Sequence, residues 1–574
     1  MAAGLDVEKI KAESRALRGT IAEGLGNPVT GALAEADTVV TKFHGIYQQD
    51  DRDQRAERRQ ARLEPAYQFM IRVRLPGGVV TPKQWLALDE LAGTVANGTI
   101  RLTTRQAVQF HGVARDDLPT LIQAVDRVLL DTLAACGDVN RNVMCHVQPE
   151  ASPLHAEALD WARRLSAHLS PSTDAWREIW IDGKKVADQP AEPEPDPLYG
   201  KTYLPRKFKS GIAIAPVNDI DIYSQDLGLI AIAEEGRLIG FNILVGGGLG
   251  CSHGEPETFP RLADVIGFVP AEKVLDVAEA IITIQRDFGR RDNRKRARFK
   301  YTIEDRGLDW FIEELEQRSG TRPRLPRPFE FIHNGDRYGW TETVDGRWQL
   351  TVFVTAGRLF PEQRAGLNRL VAAGLVADLR LTPNQNLVLA GIDASDRKAV
   401  DQALTECGLD GHRSASPIRL NALACVALPS CGLAMAEAER YLPELAERVE
   451  ELAARHSIGE QPITLRISGC PNGCSRPYLA EIGLVGRAPG RYNLYLGAAF
   501  NGERLNRLVL DNASEAEILG LIDACFARFA AERQDREAFG NFLIRAGLVE
   551  PARHGSEVNR LGNRIGIELK ESAT

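Results

Sequence analysis

Ile100–Gly112 reads IRLTTRQAVQFHG, and Leu379–Gly391 reads LRLTPNQNLVLAG. The two phrases share Arg, Leu, Thr, Gln and Gly in register. Pro82-Lys83-Gln84 begins 19 residues ahead of Arg101, and Pro361-Glu362-Gln363 begins 19 residues ahead of Arg380. A strand-like stretch precedes each copy. In Tyr67–Leu75, Phe69, Ile71, Val73 and Leu75 alternate with Gln68, Met70, Arg72 and Arg74, the period of a half-buried strand. Trp348–Val354 takes the same place before the second copy. Pro76-Gly77-Gly78 ends the first strand. Thr81–Ala96 then reads as helix, with Pro82 at an opening position and Trp85, Leu86, Leu88 and Leu91 on helical spacing. Phrase, spacing and local structure repeat together, which predicts a duplicated α+β module and a chain of two pseudo-equivalent halves.

The chain has 574 residues, a soft indication of about four domain-sized units at roughly 150 residues each. Its 44% apolar and 26% charged residues are an ordinary globular balance. A net charge of −8 gives no general attraction to nucleic acid or to anionic membranes, so any anion chemistry must come from local basic clusters. Met1–Leu17 lacks the apolar core of a signal peptide, and no run of about 18 uncharged apolar residues occurs. The expectation is a soluble, cytoplasmic protein, where nine cysteines are not a disulfide framework. Cys136, Cys145, Cys251, Cys407 and Cys525 are scattered and read as small buried hydrophobes.

The other four cysteines are grouped. Cys425 and Cys431 lie in ACVALPSCGLAMAEAERYLP, and Cys470 and Cys474 in RISGCPNGCSRPYLAEIGLVG. Four thiolates complete an iron–sulfur cubane. Pro429, Pro471 and Gly473 keep the ligand stretches from forming regular helix. The spacing matches neither the usual zinc knuckles nor the compact ferredoxin run, which favours a cluster over zinc or inert thiols. An amphipathic helix is expected directly after Cys431, through Leu433, Met435, Ala438 and Leu442.

Positive charge concentrates at a few places. Arg101, Thr103 and Arg105 alternate along the first RLT phrase, with Gln109 and His111 at the same parity, so they are expected to share one face. Lys207 and Lys209 alternate in LPRKFKSG. Arg141 sits in VNRNVMC, and Arg72 projects from the polar face of the first strand. The basic run Arg294–Lys300 reads as a solvated face, and Gln189–Pro197 as an acidic, proline-rich loop. Gly246-Gly247-Gly248 lacks the dinucleotide fingerprint and suggests close backbone approach to a large planar group. The tail after Pro551 is polar and expected to pack poorly.

Taken together, the C-x5-C and GCPNGC segments and the duplicated RLT phrase resemble the sirohaem-dependent sulfite and nitrite reductase family, closest to its assimilatory NADPH-dependent sulfite-reducing branch. The likeness runs from Leu17-Arg18-Gly19-Thr20-Ile21 and Phe43-His44-Gly45 through Gly540. It implies two pseudo-symmetric halves, each with a ferredoxin-like repeat module and a larger cofactor-binding α/β domain. The expected divisions are an N-terminal extension at 1–64, modules at 65–132 and 326–408, a sirohaem domain at 133–325 and a cluster domain at 409–574. The resemblance further implies a 4Fe-4S cluster on Cys425, Cys431, Cys470 and Cys474, with Cys474 bridging to sirohaem. It places Arg101, Thr103, Arg105, Gln109, His111 and Asn472 against sirohaem, and Arg72, Arg141, Lys207 and Lys209 around the substrate anion. The implied reaction is the six-electron reduction of sulfite to sulfide, in which arginines clamp the oxyanion and lysines relay protons. Gly432 and Ser475 stand where the family pattern has proline and glycine, which bears on cluster tuning.

No FMN, FAD or NADPH motif is evident, so an external donor is expected. The resemblance implies an NADPH-dependent flavoprotein carrying FAD and FMN, with ferredoxin as the alternative, docking at the segment before about Gln60. Two other readings stay open. One is a sirohaem nitrite reductase. The other is an iron–sulfur electron carrier or sensor, which would need the cluster but no convergent basic pocket.

Overall fold

The structure is a computed structural model that describes residues 6–182 and 194–562. The start of the proline-rich loop and the last twelve residues of the tail lie outside that range.

Each repeat builds a five-stranded antiparallel sheet. The first runs in the order Ile46–Asp50, Tyr67–Val73, Val108–Val113, Ile100–Leu102, Arg358–Leu359. The second runs Gly339–Glu342, Trp348–Val352, Leu387–Ile392, Asp378–Leu381, Val79–Val80. The fifth strand of each sheet therefore comes from the other repeat: Arg358 pairs with Arg101, and Val79 with Arg380. Helices Pro82–Thr94 and Pro361–Ala372 open on proline and pack on one another across this exchange. Trp85 Nε1 donates to Asn368 Oδ1 at 2.8 Å, and Arg364 pairs with Asp89 at 2.8 Å.

Two larger sheets repeat one another as well. Met144–Cys145, Ser210–Ala213 and Leu227–Glu234 run parallel, then Arg237–Val245 and Asp264–Pro270 return antiparallel. Ala422–Ala424, Leu465–Ser468 and Ile482–Ala488 are parallel, followed by antiparallel Arg491–Leu496 and Arg507–Ala513. Their apolar faces are covered by helices such as Pro153–His168 and Val274–Phe288 in the first, and Leu442–Arg455 and Glu515–Glu532 in the second. The duplication read from two short phrases thus extends to the large domains, where few residues match.

The segment ahead of Glu64 is woven into the body. Leu17, Ile21, Phe43 and Ile46 join the main core, Lys11 Nζ donates to the Leu204 carbonyl at 2.8 Å, and Arg18 pairs with Glu178 at 2.7 Å. The tail also packs further than its polarity suggested: helix Gly555–Val558 buries Val558. Among the described residues no helix is long and apolar enough to cross a membrane.

Three local expectations are corrected. The helix expected after Cys431 begins only at Leu442. The Met435 and Ala436 amides are drawn to the Gly469 carbonyl, and Arg52 holds the Cys431 and Ala434 carbonyls, which leaves Leu433 exposed. The run Arg294–Lys300 is not a solvated face. Arg294 pairs with Asp138 at 2.7 Å, Arg298 with Asp226 at 2.8 Å, and fully buried Lys300 holds the Gly248, Gly250 and Phe259 carbonyls. The alternation from Arg101 to Arg105 also fails, because residues 103–107 turn between two strands, with Gln106 at φ 52°.

Candidate active site

The four grouped cysteines are brought together by the loops that follow two adjacent parallel strands. Cys425 follows Ala422–Ala424 directly, and Cys470 and Cys474 follow Leu465–Ser468. The Gly469 amide donates to Cys425 Sγ at 3.2 Å, and burial, with the neighbouring Cys474 adding to it, pushes the Cys425 and Cys470 thiols up. Among the described residues no three His, Cys, Asp or Glu side chains close on a single metal ion. Cys470 is buried, whereas Cys474 is exposed although Gly473 and Ser475 on either side of it are buried.

Cys474 opens toward the cations of the first half. Its thiol lies close enough to Arg72, Lys207 and Lys209 to favour their charged forms. Arg72 and Arg141 converge on the loop at 135–141. Both reach the Ala135 carbonyl at 3.4 Å, and Arg141 Nε donates to the Gly137 carbonyl at 2.7 Å. Arg72 also donates to Cys136 Sγ at 3.0 Å and, across the strand pair, to the carboxamide oxygen of Gln109 at 3.2 Å from Nε.

Lys207 and Lys209 flank buried Phe208, so both ammonium groups take the side opposite it. No acceptor is within hydrogen-bond reach of either among the described residues. Burial and the neighbouring Arg206 push Lys207 down to about 7, and burial with Arg105 and Arg298 pushes Lys209 well below the usual lysine range. Arg105 is held down to about 9 by burial and by Arg141. Its terminal nitrogens reach Gln225 Oε1 at 2.9 Å and the Asn142 carbonyl at 2.6 Å, while Nε has no partner. The nearby carboxylates are already claimed, Asp226 by Arg298 and Asp138 by Arg294. The array is thus an excess of partly buried positive charge, which an anion would offset.

An internal comparison shows what the RLT turn grips. In the second copy Thr382 Oγ1 accepts from the Asn384 and Asn386 amides and donates to the Asp336 carboxylate at 2.6 Å, which Asn384 and Asn386 also hold. In the first copy Thr103 Oγ1 accepts from the Arg105 and Ala107 amides in the same way. No protein carboxylate meets it among the described residues. The first turn thus offers a donor set of the kind that holds a carboxylate in the second, and a polycarboxylate macrocycle would fit it. His111 adds two buried ring nitrogens with no partner, and burial holds it well below the usual histidine value. Asn472 Nδ2 lies 3.7 Å from Cys470 Sγ.

Arg101 is engaged differently. It is 1% exposed, pairs with Glu439 and donates to the Ala424 carbonyl at 2.8 Å, which anchors the strand before Cys425. The triple glycine packs on protein: a Cβ on Gly247 would stand 2.3 Å from the Tyr223 carbonyl, and Gly246 and Gly248 face the side chains of Arg261, Ile303, Arg298 and Lys300. Further along, Gly250 lies against Asn472, and the Cys251 amide donates to the Pro471 carbonyl at 2.8 Å. Sequence reasoning missed Cys136, Arg206, Arg298 and Arg476. Only Arg206 carried a signal, as the neighbour of the KFK alternation.

A family model described as the nitrite/sulfite reductase ferredoxin-like half domain matches residues 61–128 and 341–407. Another, described as the nitrite and sulphite reductase 4Fe-4S domain, matches residues 160–323. The chain belongs to the nitrite and sulphite reductase family. It is 54% identical over 554 residues to the sulfite reductase [NADPH] hemoprotein beta-component of Oceanobacillus iheyensis, covering 96% of each chain. It is 55% identical over 549 residues to the Myxococcus xanthus protein of the same name, covering 95% of this chain and 97% of that one. Among solved structures it resembles the Mycobacterium tuberculosis NirA protein, with a TM-score of 0.72 and 26% identity over 94% of this chain and 95% of that one.

Proposed function

We propose that this chain is the haemoprotein subunit of an assimilatory sulfite reductase, which carries out the six-electron reduction of sulfite to sulfide. The observation that carries the reading is the exposed Cys474 thiol, which faces an array of half-buried arginines and lysines with no carboxylate partner among the described residues. Cys425, Cys431, Cys470 and Cys474 would hold a 4Fe-4S cluster. Thr103, Arg105, Gln109, His111 and Asn472 would line the sirohaem seat, with Cys474 common to both and Arg101 bracing the strand behind Cys425. When bound, the pair supplies an iron open to substrate and electrons delivered singly.

The chain's own residues do the rest. Arg72 and Arg141 clamp the oxyanion with charge-assisted hydrogen bonds, roughly twice as strong as neutral ones. Lys207 and Lys209, their ammonium forms weakened by burial, release protons from Nζ to the oxygens that leave as water. The same burial keeps bulk water from competing for the anion.

The name borne by the most similar relatives supports an NADPH-dependent flavoprotein as donor, with ferredoxin as the alternative. The exposed helix Arg55–Gln60, beside the Cys431 loop held by Arg52, belongs to the N-terminal segment we assign to docking. A cytoplasmic setting suits such a partnership. The test is an anaerobic assay with reduced methyl viologen, comparing sulfite with nitrite while recording the visible spectrum. Sulfide formation with a sirohaem spectrum is expected. Strong preference for nitrite would move the chain to the sister activity, and a correctly assembled preparation without sirohaem would end the reading.

A further inference from the structure

Asp221 and Arg476 occupy equivalent places in the two halves, each six residues before the central strand that begins at Leu227 or Ile482. Both have left-handed backbone, at φ 50° and 60°, which is uncommon outside glycine. They meet across the pseudo-twofold relation as an ion pair of 2.6 Å, with Asp221 fully buried and Arg476 nearly so. Arg476 also donates to the Thr104 carbonyl at 3.1 Å, the Pro383 carbonyl at 3.0 Å and Asn384 Oδ1 at 2.9 Å. Thr104 and Pro383 are the matching positions of the two RLT turns, so one guanidinium ties both repeats to the first large domain. Asp221 is held in turn by Arg466 at 2.7 Å and by Asn334 at 2.8 Å.

We propose that Asp221 and Arg476 are positioning residues that fix where the Cys474 sulfur stands. The inference rests on the reading of Cys474 given above. Arg476 lies two residues after Cys474, and Cys474 and Ser475 are pinned as well: Thr104 Oγ1 donates to the Cys474 carbonyl at 3.0 Å, and Ser475 Oγ donates to the Ile467 carbonyl at 2.7 Å. The thiol is thus the one exposed group on an immobilised stretch. On the other side, Asp221 lies in the loop that leaves strand Ser210–Ala213, and Lys207 and Lys209 lie just before that strand. A single buried pair therefore sets the placement of the sulfur against the lysines, although neither member touches either. Groups that orient a metal ligand from behind typically change affinity or activity ten- to a hundredfold when removed.

The test uses the loaded enzyme and its apoprotein. Arg476→Lys keeps the charge and loses the fork, while Asp221→Asn keeps the shape and loses the charge. Arg380→Lys is the control, since Arg380 is equally buried in ion pairs with Glu150 and Asp378 at the second RLT strand. Both test variants are expected to shift the midpoint potential, weaken the magnetic coupling seen by electron paramagnetic resonance, and lower kcat about tenfold or more with KM for sulfite little changed. In the apoprotein, iodoacetamide should label Cys474 at an altered rate in both. Potential, coupling and labelling all equal to wild type, or moved as far by Arg380→Lys, would overturn the proposal. If the wild-type protein takes up no sirohaem the functional reading fails instead, and the labelling comparison still decides whether the pair fixes the sulfur.

Discussion

The Cys136 thiol accepts a hydrogen bond from the Arg72 guanidinium at 3.0 Å, and Gln109 holds the same guanidinium from the neighbouring strand. A cysteine that reads as an inert core residue thus holds a member of the proposed anion pocket. Cys136→Ala should leave the cofactor spectrum intact and raise KM for sulfite by up to about tenfold, the worth of one hydrogen bond to a charged group. Steady-state kinetics decide it, and an unchanged KM would mean that Gln109 and the Ala135 carbonyl suffice to hold Arg72.

The lysine pair predicts a pH dependence. Burial and Arg206 push Lys207 down to about 7 in the free enzyme. Below that pH the ammonium is present, and above it the pocket loses a positive charge. Affinity for an anion of fixed charge, such as sulfate, should therefore fall as pH rises through about 7. Lys207→Arg should flatten the curve, because guanidinium does not titrate there. Lys209→Ala should cut sulfite turnover by orders of magnitude while the visible spectrum persists; a normal rate would remove Lys209 from the mechanism.

The two RLT turns should answer differently to the same change. Thr103→Val strips the acceptor from the Arg105 and Ala107 amides but deprives no protein carboxylate of a donor, so sirohaem retention should drop while the apoprotein loses less stability than with Thr382→Val. Thr382→Val strips a hydrogen bond from the buried Asp336 carboxylate and should cost about 1–3 kcal/mol of stability with sirohaem retention unchanged. Calorimetry and sirohaem content together check both, and identical behaviour of the two variants would refute the comparison.

Cys474→Ser should permit partial cluster assembly on the three remaining thiols and abolish the coupled cluster–haem signal. Retention of normal coupling would remove Cys474 as the bridge. In the apoprotein Cys474, exposed, should be alkylated well before buried Cys470.

The duplication and the cysteine set were legible because each leaves a local signature: a repeated phrase at fixed spacing, and thiols interrupted by proline and glycine. Lys207 and Lys209 were legible as an alternation. Arg298 and Lys300 were not, since a basic run looks the same whether solvated or folded onto carbonyls and Asp226. The partners of Arg101 and Arg476 lie hundreds of residues away, at Glu439 and Asp221, and no local pattern encodes such pairing. The helix expected after Cys431 failed for a related reason: helical spacing in Leu433–Leu442 was overridden by the demands of the neighbouring ligand loop, where Gly469 takes the amides a helix would have used.

The two-residue strands Val79–Val80 and Arg358–Leu359, each completing the other repeat's sheet, have a consequence for biogenesis. The first sheet cannot close until the ribosome has delivered Arg358, and the cysteine loops emerge later still. The polypeptide must therefore wait, half-assembled and with apolar edges open, through most of its synthesis. The four grouped cysteines are complete only once Cys474 has emerged, and a chain cut between the repeats should yield two fragments that fold only in each other's company.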